Sequence, residues 1–412
     1  MEGLDKFKTF FLILGFALVI RGMVLITIAP EKPTSWETEL IVKNLLSGKG
    51  FTFIYTGSIP YRAYKPPLYE WLTAGVYLLT QNSQRAMILL QCLFGAVLSG
   101  IIFLIGQALL GTPAGLVAGA LTALHPGLIY YDTHQLHALS LAGLLISLIA
   151  WVFIKLREKD SWAWRFLAGT LIGIAVHERG TVGVLLPVGV IWLWITHRGR
   201  GQQLWRLAWP ILLGFVLVIT PWTLRNAWVY HRFVFMTSMT GELFWRGNNP
   251  QATGTTVTSD LTPILCTLPA DFENKMATMD ELSQQEFLRR KAWGFIRSNP
   301  RQAFTLFIKK LLIFWWFAPT SGYRYPHFYL PIYKLFYLAT LLFGLLGFSW
   351  GVRQADPYLH ERMAFLICIA IGFSLVQSLY YVEIRHRWAI EPLLLVFAGG
   401  GISRTLALAR RA

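Results

Sequence analysis

Carboxylates, cations and aromatic residues gather at three places in the chain, and together they suit a substrate that carries a phosphate. The first reads Ser35-Trp36-Glu37-Thr38-Glu39-Leu40. A short helix over Glu37–Leu46, ended by Gly48, sets Glu37 and Glu39 roughly 200° apart, so at most one of them faces a given site. The second is Tyr61-Arg62-Ala63-Tyr64-Lys65-Pro66-Pro67-Leu68-Tyr69. Its rigid Pro-Pro corner fixes Lys65 at headgroup level, where a lysine can meet a lipid phosphate. The third is Tyr380-Tyr381-Val382-Glu383-Ile384-Arg385-His386-Arg387-Trp388. Arginine forks bind phosphate bidentately, so Arg385 and Arg387, with His386 between them, suit a bound anion. Each cluster also has a plainer reading: solvated loop carboxylates, a snorkelling lysine, and arginines paired with Glu383 or Glu391.

Two smaller groups stand beside these. His177-Glu178-Arg179 falls at a turn between apolar runs. In Tyr130-Tyr131-Asp132-Thr133-His134-Gln135-Leu136-His137, the side chains of Asp132, His134 and His137 offer a metal site or a second carboxylate, although this spacing is a weak metal signature. The three cysteines are widely separated and form no disulfide framework.

The elements that carry these groups must lie in a membrane. Of the 412 residues, 55% are hydrophobic and only 14% are charged, against about 25% in a soluble domain. That composition excludes a soluble enzyme, a disordered chain and a small secreted disulfide domain. Ten apolar runs approach the length that crosses about 30 Å of hydrocarbon: 9–29, 86–110, 113–132, 136–154, 163–178, 180–196, 207–223, 331–351, 363–381 and 388–405. The first reads as a signal anchor that is kept. Residues 66–80, with Glu70, and 303–318, with Lys309 and Lys310, read as interfacial helices, because a lysine at the bilayer centre costs about 3 kcal/mol.

Ten spans with a cytoplasmic N-terminus put every short basic loop on one side: Lys155–Arg165, Arg198–Arg206, Arg353–Arg362 and Arg404–Arg411. Both termini are then cytoplasmic in a multi-pass protein of the plasma (inner) membrane. The loops at 30–85 and 224–330 are extracytoplasmic. The chain divides into a core at 1–223, a loop domain at 224–330 and C-terminal spans at 331–412. Within the loop domain, Arg232–Ser238 alternates like a strand. Ser283–Ser298 reads as a helix, opened by a Ser283/Glu286 capping box and stopped by Asn299-Pro300. Arg21 lies inside the first span, where an arginine is paired, functional or snorkelling. The net charge of +16 would suggest nucleic acid in a soluble protein. Here the expected partners are membrane lipids and an anionic lipid substrate, with no nucleic acid.

Five segments, taken in order, resemble the bacterial members of the dolichyl-phosphate-mannose–protein mannosyltransferase superfamily, glycosyltransferases of the GT-C fold that include aminoarabinose-transferase-like proteins. The first loop, Trp36-Glu37-Thr38-Glu39 followed by Asn44-Leu45-Leu46-Ser47-Gly48-Lys49-Gly50-Phe51, is similar to the family's acidic residue and amphipathic helix. Lys65-Pro66-Pro67-Leu68-Tyr69-Glu70-Trp71-Leu72 looks like its Pro-Pro-Leu segment, and Thr220-Pro221-Trp222-Thr223-Leu224-Arg225-Asn226 like the end of its seventh span. Gly247-Asn248-Asn249-Pro250-Gln251-Ala252-Thr253-Gly254 resembles a loop motif of these proteins. Glu383-Ile384-Arg385-His386-Arg387, with Glu391-Pro392-Leu393-Leu394, resembles their C-terminal ending.

The resemblance implies an all-α polytopic GT-C fold of about ten transmembrane helices, with interfacial helices in the first outer loop. It also implies inverting transfer of a sugar from a polyprenyl-phosphate donor to a hydroxyl of a lipid, glycan or protein acceptor at the extracytoplasmic face. Glu37 takes the position of the general base, with Glu39 as its rival. Lys65 corresponds to the donor-phosphate lysine, and Arg385 or Arg387 to the phosphate-binding arginine, with His386 and Arg62 as helpers. Tyr64, Tyr69, His137 and Arg179 are expected at the substrate pocket. The family's second acid falls near His137-Ala138, which has no carboxylate, so Asp132 is the candidate stand-in. Members differ in their use of a divalent metal, and that requirement stays open here. A transporter or flippase of lipid-linked sugars is the alternative reading; it needs charges along a path through several spans.

Overall fold

The computed structural model describes residues 2–35, 37–54, 59–197 and 203–410, so Trp36 and the expected topology residues Arg198, Arg200 and Arg411 lie outside it. Long apolar runs become helices because a helix satisfies its own backbone groups where no water is at hand. In chain order these are α1 (Glu2–Thr27), α2 (Glu37–Leu46), α3 (Leu68–Thr80), α4 (Gln84–Leu110), α5 (Thr112–Ala123), α6 (Pro126–His134), α7 (Leu139–Leu156), α8 (Trp162–Val176), α9 (Leu185–His197) and α10 (Leu204–Tyr230). They continue as α11 (Thr240–Gly247), α12 (Ala270–Ala277), α13 (Glu281–Ser298), α14 (Pro300–Trp315), α15 (Tyr329–Val352), α16 (Pro357–Ser378), α17 (Ile384–Trp388) and α18 (Glu391–Ala409). A two-residue hairpin, β1 (Phe53–Ile54) and β2 (Pro60–Tyr61), pairs Phe53 with Tyr61.

Among the described residues, eight helices are long and apolar enough to cross a membrane: α1, α4, α7, α9 with its preceding 3₁₀ turn, α10, α15, α16 and α18. The chain is a multi-pass membrane protein. Two expected spans differ in form. Residues 113–132 are the pair α5 and α6, bent by 43°. Pro126 opens α6, and a proline cannot continue the hydrogen bonding of the helix before it. Residues 163–178 are the 15-residue helix α8, about 22 Å long and shorter than the hydrocarbon layer. Helix α10 runs on to Tyr230, past the boundary expected at 223.

Small residues let these helices approach closely. A Cβ on Gly169 of α8 would stand 1.8 Å from the Ile211 carbonyl oxygen of α10, and one on Gly347 of α15 1.9 Å from that of Phe397 in α18. The most informative case is Gly95 in α4, which opens space for a buried ion pair. Arg21 of α1 donates from Nε to Asp132 Oδ2 of α6 at 2.7 Å, and both side chains are buried. A Cβ at position 95 would come within 2.2 Å of that oxygen and 2.4 Å of Arg21 Nη2. Gly95→Ala is therefore expected to destabilise the protein by about 3–5 kcal/mol, the cost of disrupting a buried pair. Gly75→Ala, at a position with open space around it, serves as control. Thermal unfolding in detergent measures both, and equal unfolding temperatures would refute the expectation.

The short basic connections of the spans are tied together at one end of the bundle. Arg157 donates to Glu361 at 2.5 Å, Arg362 to Glu158 at 3.0 Å, and Arg165 to the Arg206 carbonyl at 3.1 Å. The long loops gather at the other end. There α2 forms as expected, and Gly48 follows it with φ +78°. Helix α14 buries Leu306, Lys310, Ile313 and Phe314 and exposes Phe304, Ile308 and Leu312, four residues apart along one stripe. Lys310 is not presented to solvent: it donates to the Gly247 carbonyl at 3.1 Å and to Asn248 Oδ1 at 3.0 Å. Burial pushes its ammonium down to about 7.

Two local expectations in the loop region are corrected. Arg232–Ser238 is irregular rather than a strand: the Asn226 side chain takes up the carbonyls of Val234 and Met236, leaving no ladder to form. Helix α13 begins two residues early, and its cap is Asp280, whose carboxylate accepts from Ser283 N at 2.7 Å, in place of the Ser283/Glu286 box. Glu286 instead pairs with Arg289 and Arg290.

Candidate active site at the loop end of the bundle

Three connections converge at the loop end, and backbone hydrogen bonds fix them to one another. Thr34 N donates to the His134 carbonyl and Leu136 N to that of Thr34, both at 2.9 Å. The first loop is thus bound to the turn after α6. Leu68 N donates to the His177 carbonyl at 2.9 Å, which joins the Pro66-Pro67 corner to the turn after α8. The motif at Gly247–Gly254 clamps the third connection. Asn248 Nδ2 donates to the Leu379 carbonyl at 2.8 Å and Val382 N to that of Gly254 at 2.9 Å. A Cβ on Gly247 would lie 2.4 Å from the Tyr380 carbonyl.

A cavity of about 790 Å³ opens among these connections, lined among others by Pro66, His137, Glu178, Arg179, Arg385 and His386. Arg385 is 2.9 Å from Glu383 and donates to the Tyr131 hydroxyl at 3.4 Å. Arg179 Nε stands 3.8 Å from Glu178 Oε2. Lys65 and Glu37 lie beside the cavity, next to Pro66. Lys65 Nζ donates to Thr38 Oγ1 at 2.8 Å and stands 3.4 Å from Glu70 Oε1 and 3.9 Å from Glu37 Oε2. The three cations act on one point. His137 is held well below the usual imidazole range by burial and by the charges of Arg385, Arg179 and Lys65. His386 is likewise depressed, by burial and then by Arg385 and Arg179. Both rings are therefore neutral near pH 7. Burial pushes the Glu178 carboxyl up to about 7, against the pull of Arg179.

The other expected residues fall elsewhere. Glu39 points away from Lys65: it accepts from Tyr77 at 2.8 Å and lies 3.5 Å from Lys43. Arg387 is corrected. Residues two apart on a helix diverge, so with Arg385 in the cavity Arg387 turns into the bundle. It is fully buried there, donating to Tyr333 at 2.7 Å, to the Phe314 carbonyl at 3.0 Å and to Glu391 at 3.3 Å. His386 lines the cavity but is no cation, and its Nδ1 accepts from Glu383 N. Arg62 is exposed, and it is its backbone N that binds Glu281, at 2.7 Å. Tyr64 and Tyr69 are core residues bonded to Glu242 and Gln91. Asp132 is held by Arg21 and does not line the cavity. His134 stacks on Tyr130, and among the described residues no three His, Cys, Asp or Glu side chains gather to hold a metal. Sequence reasoning missed Glu70, treating it as an interruption in an apolar run. A carboxylate in such a run, five residues after Lys65, was itself the signal.

Arg385→Ala is expected to weaken binding of a polyprenyl phosphate at least tenfold, and Arg385→Lys, which keeps a cation beside Glu383, to weaken it less. Titration of the lipid against purified protein checks this.

Residues 64–224 match the family described as dolichyl-phosphate-mannose-protein mannosyltransferase. The fold is similar to that of the oligosaccharyltransferase of Archaeoglobus fulgidus. The apo form matches with a TM-score of 0.60 and 12% identity, over 98% of this chain and 51% of that one. The archaeal oligosaccharyltransferase AglB from the same organism, in complex with an inhibitory peptide and a dolichol-phosphate, matches at 0.57 and 13%, over 98% and 51%. The chain thus spans about half the length of these structures. No curated protein matches it in sequence. The chain is a polytopic membrane protein of the GT-C fold, and its residues 64–224 match the family described as dolichyl-phosphate-mannose-protein mannosyltransferase.

Proposed function

We propose that the protein is an integral membrane glycosyltransferase that moves a sugar from a polyprenyl-phosphate donor to an acceptor hydroxyl at the extracytoplasmic face, with inversion. The observation that carries this reading is the placing of Arg179 and Arg385 in one cavity with Lys65 and Glu37 beside it, all three cations acting on His137, within a GT-C fold. The leaving group is a phosphate ester, which needs its charge held rather than a proton supplied. Lys65, Arg179 and Arg385 provide that charge. Glu37 receives the proton of the acceptor hydroxyl as that oxygen attacks the anomeric carbon from the face opposite the phosphate. The short basic connections at the far end of the bundle support a cytoplasmic location for both termini and an extracytoplasmic one for the cavity.

The transporter alternative needs charges along a path through the spans. Arg21 is ion-paired through Nε with Asp132 and closed off from solvent, which argues against it. The test is transfer in detergent, with no membrane and no gradient. Purified protein given a labelled polyprenyl-phosphate sugar and an envelope extract is expected to release polyprenyl phosphate and label an acceptor. Release and labelling that occur only in sealed vesicles would overturn the enzyme reading.

A further inference from the structure

We infer that Glu178 is the residue that recognises the donor sugar, accepting a hydrogen bond from one of its hydroxyl groups. The inference rests on the glycosyltransferase reading, which gives the phosphate its partners but leaves this side chain without a role. Glu178 lines the cavity, yet its side chain is only 4% exposed. Among the described residues its Oε2 has no hydrogen-bond partner. The Arg179 guanidinium is 3.8 Å away, too far to serve as one. A buried carboxyl oxygen left without a hydrogen bond is costly, and a functional role is one reason for which such a group is kept.

The surroundings narrow the ligand. Glu178 is held rigidly, because its turn is anchored on one side by the bond from Leu68 N to the His177 carbonyl and on the other by that from Arg179 N to the Ala175 carbonyl. The charges of Arg179 and Lys65 act on it from two different elements, with that of the Glu70 carboxylate opposing them. A phosphate belongs with those cations and would be repelled by the carboxylate. An ammonium group would stand against Arg179 and Lys65. A neutral hydroxyl is repelled by neither and can donate to Oε2. A sugar ester-linked to a phosphate on the cations would lie within reach of this oxygen. Burial leaves the carboxyl near its midpoint at neutral pH, so it can exchange the role of acceptor for that of donor. The sequence pattern alone gives this residue no function, since the acid expected from the family belongs to a different turn, near His137-Ala138.

The test compares two lipids on the full-length protein in detergent: a polyprenyl phosphate without sugar and a polyprenyl-phosphate hexose. The wild-type protein is expected to prefer the hexose lipid about tenfold or more. Glu178→Ala should reduce that preference to about unity, and Glu178→Gln, which keeps an acceptor oxygen, should retain part of it. Binding of the bare lipid reports that each variant is folded. A wild-type protein without preference, or a preference unchanged in Glu178→Ala, overturns the inference while the donor reading stands. Failure of the wild-type protein to bind either lipid marks instead the failure of the donor reading, and the inference falls with it.

Discussion

Glu37→Gln is expected to lower sugar transfer by about 10²–10⁴-fold, the range over which a positioned general base acts, while binding of the donor lipid stays within about twofold. The amide has the size of the carboxylate but cannot receive the acceptor's proton. The nearest cation, Lys65 at 3.9 Å, keeps its bonds to Thr38 and Glu70 in the variant. Glu39→Gln is the matched control. Glu39 is bound to Tyr77 and Lys43 on the other side of α2, so its loss should change turnover by no more than a few fold. Turnover of both variants under saturating donor, with lipid binding measured separately, decides the matter. Normal turnover in Glu37→Gln with loss in Glu39→Gln would reverse the assignment.

The second large effect concerns Arg387 and is one of stability. Its guanidinium is buried 3.8 Å from the centre of the Tyr337 ring and bonded to Tyr333, Glu391 and the Phe314 carbonyl. Tyr333 in turn donates to Glu391 at 2.6 Å. His125 completes the group. Its Nδ1 accepts from Leu128 N, so the ring proton sits on Nε2, which faces Glu391 at 3.4 Å. Arg387→Ala would leave the Glu391 carboxylate buried beside only the His125 ring and the Tyr333 phenol. Removing one partner of such a pair costs about 3–5 kcal/mol. The variant is expected to unfold at a markedly lower temperature or to be lost from the membrane fraction. Arg387→Ala combined with Glu391→Leu should recover a large part of the loss, because an apolar pair leaves no uncompensated charge. Thermal unfolding of the single and double variants in detergent measures both effects. An Arg387→Ala protein as stable as wild type, with a weakened affinity for polyprenyl phosphate, would return Arg387 to the donor site.

These two arginines show where sequence reading stopped. Arg385 and Arg387 are alike in type and lie in one short segment, so nothing in their spacing told which would meet the cavity. The answer depended on how α17 is rotated. That rotation is set by contacts far away in the chain: the Gly254 carbonyl on Val382, Thr256 on Glu383, and the aromatic wall around Trp388. Tyr64 and Tyr69 lie in the core for a related reason. An aromatic residue next to a charged one reads equally well as pocket or core, and only the arrival of Glu242 and Gln91 from other helices settled it.

The sequence by itself determined the elements. Apolar runs of membrane length fixed the helices and their order, because lipid leaves a backbone no other partner. Helical periodicity fixed the opposition of Glu37 and Glu39, and paired prolines fixed the corner after Lys65. These are local properties, decided within a few residues. The tertiary structure decided what no local rule contains. It joined Arg21 to Asp132, brought Arg179 and Arg385 to one cavity with Lys65 beside it, closed Arg387 away from it, and left an oxygen of Glu178 without a hydrogen bond. Charges separated by more than a hundred residues acquire their partners only when the helices pack. In an interior of low dielectric that pairing determines whether a charged side chain holds the fold together or remains available to a substrate.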